Sequence, residues 1–211
     1  MTEGMQKQLY GIALFEEEIL LSDFTSGCEK RFIVSPEQLM GFVRSKITFR
    51  PFPGLVWMQT DGMSDTYLLT LSGGVRTILY RKAKKLDSHK LTLPPLAVKA
   101  RVDQSRRKID AIEIWGMAGK GLSPDTVLYE LPLPNLNGAH MCLGSTELAV
   151  THDVREAIEK TIFDTPFNHH NHIVGREKIP FFEYIKKYRG KCPLASLNKI
   201  GSGKDILGGL K

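Results

Sequence analysis

Residues 131–144 read LPLPNLNGAHMCLG, and they divide the chain into two parts of different character. The segment contains two prolines, two asparagines and two glycines, and its apolar residues follow neither a helical nor a strand period. It still carries five apolar side chains that a solvated linker would not need: Leu131, Leu133, Leu136, Met141 and Leu143. We therefore predict a structured loop that these side chains hold against the core.

The part of the chain before this loop is rich in strand patterns. Short apolar runs separated by turn residues predict strands at residues 8–15, 19–24, 31–34, 55–59, 66–71, 75–80, 94–100 and 109–115. An Asp-Gly pair at 61–62 and a Gly-Gly pair at 73–74 predict that residues 55–80 form an antiparallel meander. A helix is expected to begin at Ser35, which suits an N-cap before Pro36.

Helical periodicity returns after the loop. Asp153 precedes a predicted helix over residues 154–163, and a second helix is predicted from about Pro180 to Tyr188. The residues from Asn198 onward are glycine-rich and are predicted to form a flexible tail. Strands followed by helices indicate an α+β fold, in which an antiparallel meander sheet has helices packed on one side.

The length of 211 residues fits one sizeable domain with an elaborated N-terminal half. We predict a β-rich N-terminal extension at residues 1–60 that packs on the core, a core at residues 61–197, and the tail at residues 198–211. Within the core, the pattern of residues 109–115 places Ile109 and Trp115 on one face of a strand and Ile112 and Ile114 nearer the other.

Composition narrows the class of protein. The chain is 42% hydrophobic and 25% charged, as in ordinary globular proteins. It has no apolar run near the roughly 20 residues of a membrane helix, and residues 1–10 lack a signal-peptide pattern, so we expect a cytoplasmic protein and no membrane partner. The net charge is +6, but the basic residues are dispersed, and nucleic-acid binding is therefore not the favoured function.

The loop contains the groups that acyl transfer needs. A thiolate at Cys142 would be both a nucleophile and a good leaving group, and the amide of Asn135 would be a hydrogen-bond donor for an oxyanion. The alternative for Cys142 is a buried, unreactive thiol. The three cysteines form no CxxC pair, which predicts neither a zinc site nor a disulfide framework, and neither Cys28 nor Cys192 is favoured as a nucleophile.

The chain also resembles a known family. Residues 133–143, LPNLNGAHMCL, resemble the active-site segment of ubiquitin-conjugating enzymes, in which His-Pro-Asn precedes a glycine-containing turn and a Cys-Leu pair. Residues 93–197 more narrowly resemble prokaryotic family D of that superfamily, also described as PRTRC system protein B. The shared elements, in chain order, are LPPL at 93–96, PDTVLY at 124–129, the loop at 135–144 and FNH at 167–169.

The resemblance implies a ubiquitin-conjugating-enzyme-like core with Cys142 as the thioester-forming nucleophile. Asn135 would orient the loop or stabilise the oxyanion. Leu133 stands where the eukaryotic pattern has His, and the interval from Asn135 to Cys142 is one residue shorter than usual, so Asn137 is an alternative source of the amide. His169, in the FNH element, is expected to be a secondary site residue.

The resemblance further implies partners. These are a ubiquitin-like protein, a ThiF-type activating enzyme and a JAB-type metallopeptidase of the same system. No cofactor or metal is expected in this chain, because the ATP chemistry would belong to the activating enzyme. Two alternatives stay open: a binding module of the same fold that forms no thioester, and a basic scaffold near DNA, which the association of the family with plasmid-borne systems suggests. An exposed Cys142 would favour transfer, whereas a sulfur sealed under Leu133 and Met141 would not.

Overall fold

The computed structural model of the chain describes residues 10–14, 19–23, 30–36, 38–39, 52–60, 63–82, 85–144, 150, 153–168 and 172–207. The chain divides into two compact units, Met1–Pro51 and Phe52–Lys211. The boundary therefore differs from the predicted end of the N-terminal extension at residue 60. The reason is that the strand Leu55–Thr60 pairs with the strand Ser64–Leu71 of the second unit.

The first unit contains a three-stranded antiparallel sheet in which each strand pairs with the next along the chain. Its strands are β1 (Tyr10–Leu14), β2 (Ile19–Asp23) and β3 (Lys30–Val34). A helical turn begins directly after β3, where Ser35 Oγ accepts the N–H of Gln38 at 3.2 Å and Gln38 Oε1 accepts the N–H of Ser35 at 2.8 Å. This reciprocal pair is a capping box, and it confirms the predicted start of the helix.

Strands are the main secondary structure of the second unit in the described residues. Its strands are β4 (Leu55–Thr60), β5 (Ser64–Leu71), β6 (Gly74–Lys82), β7 (Lys85–Leu93), β8 (Leu96–Asp103), β9 (Lys108–Met117), β10 (Val127–Tyr129), β11 (Leu136–Asn137), β12 (His140–Met141), β13 (Ile173–Val174), β14 (Ile179–Pro180) and β15 (Lys199–Ser202). The large sheet has the order β11-β12-β9-β8-β5-β4, and β10 pairs with both β9 and β15. All of these pairs are antiparallel.

The predicted meander of residues 55–80 is wrong at its third strand. β5 pairs with β8, with Leu71 opposite Leu96, and β6 leaves the large sheet to form a hairpin with β7. The chain changes direction at Gly73, where an added Cβ would lie 2.7 Å from the backbone nitrogen of Pro95. Strand β7 escaped prediction because only Leu91 and Leu93 near its end are buried, while the rest of it is largely exposed and, apart from Leu86, polar.

A β-bulge changes which side chains of β9 face the core. Ile109 lies opposite Val102 while Ala111 lies opposite Arg101, so β9 has one more residue than its partner at this point. A shift of one residue moves a side chain to the other face of a sheet. Ile109 therefore joins Ile112 in the main core, instead of sharing a face with Trp115 as its spacing predicted.

Two helices cover one face of the large sheet. They are α1 (Val154–Phe163) and α2 (Phe181–Lys187), which add residues such as Ile158, Ile162 and Tyr184 to the main core. Asp153 caps α1, because its side chain accepts the N–H of Glu156 at 3.0 Å. The fold is thus α+β with helices against one face of an antiparallel sheet, as predicted.

The predicted flexible tail differs from the structure at residues 199–207. Strand β15 pairs with β10, and a short helix, α3 (Gly203–Leu207), follows it. The N–H of Gly203 donates to the carbonyl of Thr126 at 2.7 Å, and a Cβ at Gly203 would lie 1.8 Å from the carbonyl oxygen of Ser123. Glycine is therefore needed here for close backbone packing, which is a different reason from chain flexibility.

The helices named above are ten, seven and five residues long. A helix that crosses a bilayer needs about 20 apolar residues. No helix in the described part of the chain is long and apolar enough to span a membrane.

Candidate active site

The segment that carries Cys142 is a small β-hairpin, in place of the irregular loop that its composition predicted. Leu136 pairs with Met141 and Asn137 with His140, and Gly138, with a φ of +62°, begins a two-residue turn. A further hydrogen bond, from the N–H of Cys142 to the carbonyl of Asn135 at 2.8 Å, extends the ladder by one step. Asn135 and Cys142 therefore lie opposite each other at the base of the hairpin; we call residues 135–142 the active hairpin.

Side chains alternate along the second strand of the active hairpin. His140 is exposed, Met141 is buried in the main core, and Cys142 is exposed again. Leu133 and Leu136 are also buried in that core. The apolar residues thus fasten the hairpin to the protein while the thiol stays accessible to solvent, which is the arrangement that favours transfer.

Asn135 has an unusual backbone conformation and a specific contact. Its φ is +64°, in the left-handed region that Asn adopts more readily than most residues, and it is buried. Its Oδ1 accepts the backbone N–H of Asn168 at 3.3 Å. Because that backbone group can only donate, it sets the orientation of the amide, and Nδ2 remains as the donor half of Asn135.

The tip of the active hairpin is held on two sides. On one side, the carbonyl of Ala139 accepts the N–H of Ile114 in β9 at 2.8 Å. On the other, Glu130 Oε1 accepts the N–H of Gly138 at 3.2 Å, and Glu130 Oε2 accepts Nδ2 of Asn198 at 2.8 Å. Strand β9 and Glu130 therefore fix the tip of this short hairpin from two sides.

A row of three polar side chains, His140, Glu113 and Lys99, crosses the sheet beside Cys142. Nε2 of His140 lies 3.3 Å from Oε1 of Glu113, and Nζ of Lys99 lies 3.6 Å from Oε2 of the same carboxylate. The imidazole of His140 is 75% exposed, whereas Glu113 is about one-quarter exposed. Exposed ion pairs of this kind contribute little to stability, but they place a polar surface next to the thiol.

The structure brings together two of the four predicted site residues. Cys142 and Asn135 share the base of the active hairpin, as described above. Asn137 is exposed on the first strand of the hairpin, opposite His140. His169 lies outside the described residues, but its neighbour Asn168 contacts Asn135. No cluster of metal-binding side chains occurs among the described residues.

Three residues near the site were not predicted from the sequence: Glu113, Glu130 and Asn198. Glu130 is the one acidic residue within residues 127–134, VLYELPLP. A charge in such an apolar run is a signal for a paired, half-buried carboxylate, because burying an unpaired one is costly. Nothing local in the sequence marks Asn198, since its partner is 68 residues away.

The environment of Cys192 differs from that of Cys142. Cys192 is buried beside the hydroxyl of Tyr184, and burial raises the pKa of its thiol to about 12. At pH 8 such a thiol is thiolate to only roughly one part in ten thousand. Cys192 is therefore unsuited to nucleophilic chemistry, whereas Cys142 is exposed.

We expect iodoacetamide at pH 8 to modify Cys142 at least about tenfold faster than Cys192 in the native protein. The measurement is peptide mapping by mass spectrometry over a time course. The denatured protein is the control, because unfolding removes the burial of Cys192 and should bring the two rates together. Equal rates in the native protein would contradict the difference in exposure.

An exposed cysteine at the base of an Asn-bearing hairpin, on an α+β core, is the arrangement of an E2-like, that is ubiquitin-conjugating-enzyme-like, protein. The sequence profile of prokaryotic E2 family D matches residues 76–189, which is more than half of the 211 residues. The chain belongs to prokaryotic E2 family D. The match includes the active hairpin, α1 and most of the sheet. A search of curated proteins and a search of solved structures gave no match to the chain.

Proposed function

We propose that the protein carries a ubiquitin-like protein as a thioester on Cys142 and passes it to an amine. The observation that supports this most is the exposure of the Cys142 thiol on a hairpin whose neighbouring apolar residues are buried. Membership of the E2-like family supports the same chemistry at the level of the family.

In the loading step, the Cys142 thiolate attacks the carbonyl carbon of the modifier's C-terminus, which arrives as a thioester on an activating enzyme. A bond forms between Cys142 Sγ and that carbon, and the bond to the activating enzyme's sulfur breaks. The released thiolate takes up a proton from solvent. No oxidation or reduction occurs, and the ATP is consumed earlier, by the activating enzyme.

In the transfer step, an amine attacks the same carbonyl carbon. A bond from nitrogen to carbon forms, the bond to Cys142 Sγ breaks, and the amine loses a proton to solvent. The tetrahedral intermediate carries a negative oxygen, and we assign Nδ2 of Asn135 as its hydrogen-bond donor. The contact of Oδ1 with Asn168 supports this assignment, because it leaves the donor half of the amide for the oxyanion.

The proposal requires partners of defined chemistry. They are a ubiquitin-like protein with a free C-terminal carboxyl group and a ThiF-type activating enzyme that makes its thioester. A JAB-type metallopeptidase is the proposed enzyme for removing the modifier. A nucleophilic thiol stays free only in a reducing compartment, and we therefore propose the cytoplasm as the location.

The test is to incubate the chain with the modifier, the activating enzyme and ATP, and to separate the products without reductant. We expect an adduct that needs ATP, that maps to Cys142, and that added thiol reverses. Failure to form this adduct with an active activating enzyme would overturn the proposal. Capture of the modifier without a covalent bond in the same experiment would instead support a binding module.

A further inference from the structure

Glu130 is a half-buried carboxylate directly after β10, and it has a different donor on each oxygen. Oε1 accepts the backbone N–H of Gly138 at the tip of the active hairpin, and Oε2 accepts Nδ2 of Asn198. The backbone N–H of Glu130 also donates to the carbonyl of Asn198 at 3.0 Å. Glu130 thus connects the tip of the hairpin to the residue that precedes β15.

The chemistry of these contacts selects a carboxylate. A backbone N–H and an amide NH₂ only donate, so the group between them must accept on both sides. A carboxylate meets that condition, whereas a glutamine in the same place would offer one oxygen and one NH₂ group. Hydrogen bonds to a charged acceptor are also stronger than those between neutral groups.

We propose that Glu130 is a positioning residue for Cys142 and Asn135. The tip of the hairpin is fixed to β9 through Ala139 and, on its other side, to Glu130. Without the contact to Glu130, the hairpin keeps one anchor at its tip and gains freedom to rotate about β9. Its base carries both the thiol and the amide, and the amide of Asn135 is held separately by Asn168, so such motion shifts the thiol relative to the amide.

Asn198 makes this arrangement depend on the C-terminal segment. Its side-chain amide donates a hydrogen bond to Oε2 of Glu130, and Oε1 of the same carboxylate therefore points toward the N–H of Gly138. Strand β15 begins at the next residue and pairs with β10, the strand that ends directly before Glu130. The segment that the sequence predicted to be a flexible tail is therefore part of the support of the active hairpin.

The experiment reverses the polarity of the Glu130–Asn198 pair. Glu130→Gln alone removes the charge from both contacts and forces the amide of Asn198 to turn over so that its oxygen accepts from the new NH₂ group, and Asn198→Asp alone places two carboxylates against each other. In the double variant the new glutamine donates to the new aspartate and still accepts from Gly138. Asn198→Ala is a milder variant that removes only one donor, and Glu183→Gln, at an exposed position of α2, is the control for loss of a carboxylate.

Two readouts do not depend on the proposed function: hydrogen exchange of a peptide that covers residues 136–142, and the rate of alkylation of Cys142. We expect Glu130→Gln and Asn198→Asp each to speed exchange in this peptide about tenfold, because each disturbs a hydrogen bond to a charged group. Asn198→Ala should have a smaller effect. We expect the double variant to return to within about twofold of the wild-type protein. Exchange elsewhere in the chain, and the temperature of unfolding, should change much less.

A third readout, the rate at which a Cys142 thioester discharges to an amine, rests on the proposed function. It should fall about tenfold in the single variants and recover in the double variant. Exchange that rises uniformly along the chain would show a merely structural role for Glu130 and overturn the proposal. The proposal would also be overturned if this peptide exchanged as fast in the double variant as in the faster of the two single variants. If the wild-type protein forms no thioester, the proposed function fails, while exchange and alkylation still decide the role of Glu130.

Discussion

Replacement of Cys142 by serine is expected to lower the rate of transfer to an amine by about a thousandfold or more. A serine hydroxyl ionises much less readily than a thiol, and an alkoxide is a poorer leaving group than a thiolate. Any adduct that forms on the serine is an oxygen ester, which added thiol does not reverse. Because Cys142 is exposed, the substitution should change the free energy of unfolding by no more than about 0.5 kcal/mol.

The measurement is the rate of product formation in a single turnover, with the adduct assayed before and after addition of thiol. Cys192→Ser is the matched control, because it makes the same chemical change at a buried thiol away from the active hairpin. That variant should keep its transfer activity, although it can lose stability. Unchanged transfer in Cys142→Ser would show that the nucleophile is another residue.

Features set by local sequence could be predicted with good accuracy. The capping residues Ser35 and Asp153 mark two helix starts correctly, because their side-chain contacts reach only three residues along the chain. The active hairpin is a similar case: its apolar side chains indicated a segment held against the core, and Leu133, Leu136 and Met141 are buried there. Such signals need no knowledge of distant partners.

Features that depend on distant pairing could not be predicted. Most side chains of β7 are exposed and polar, and its backbone pairs with β6, so the apolar content of this segment does not show that it is a strand. The bulge in β9 arises from its register with β8, which composition does not encode. Residues 199–202 look like a loose glycine-containing segment until β10 is present to pair with them.

The same distinction applies to the candidate site. Cys142 and Asn135 could be chosen as candidates because they lie within one short segment that resembles a known active-site pattern. The contact of Asn135 with Asn168 and the contact of Glu130 with Asn198 span long stretches of chain, and only the fold brings these residues together. The residues proposed for the chemistry could therefore be chosen from the sequence, while the distant groups that contact them could not.

Replacement of Asn135 by aspartate is expected to reduce the rate of transfer by about a hundredfold or more, the usual effect of removing one oxyanion donor. Aspartate also tolerates a positive φ, and it keeps an oxygen that accepts the N–H of Asn168. What it lacks is the NH₂ group. The loss should therefore appear in the rate of transfer at saturating amine, and less in the binding of the amine.

Asn137→Asp is the matched control for this change. It adds the same charge two residues away on the same hairpin, at an exposed position, so it should alter transfer by less than about threefold. Because a charge at buried Asn135 can lower stability, Asn135→Gly is the second variant; it keeps the positive φ and removes the amide without adding charge. Both variants at residue 135 should lose transfer while both remain folded. A large effect at Asn137 with little effect at Asn135 would reassign the oxyanion donor to Asn137, because each substitution removes one amide and adds the same charge.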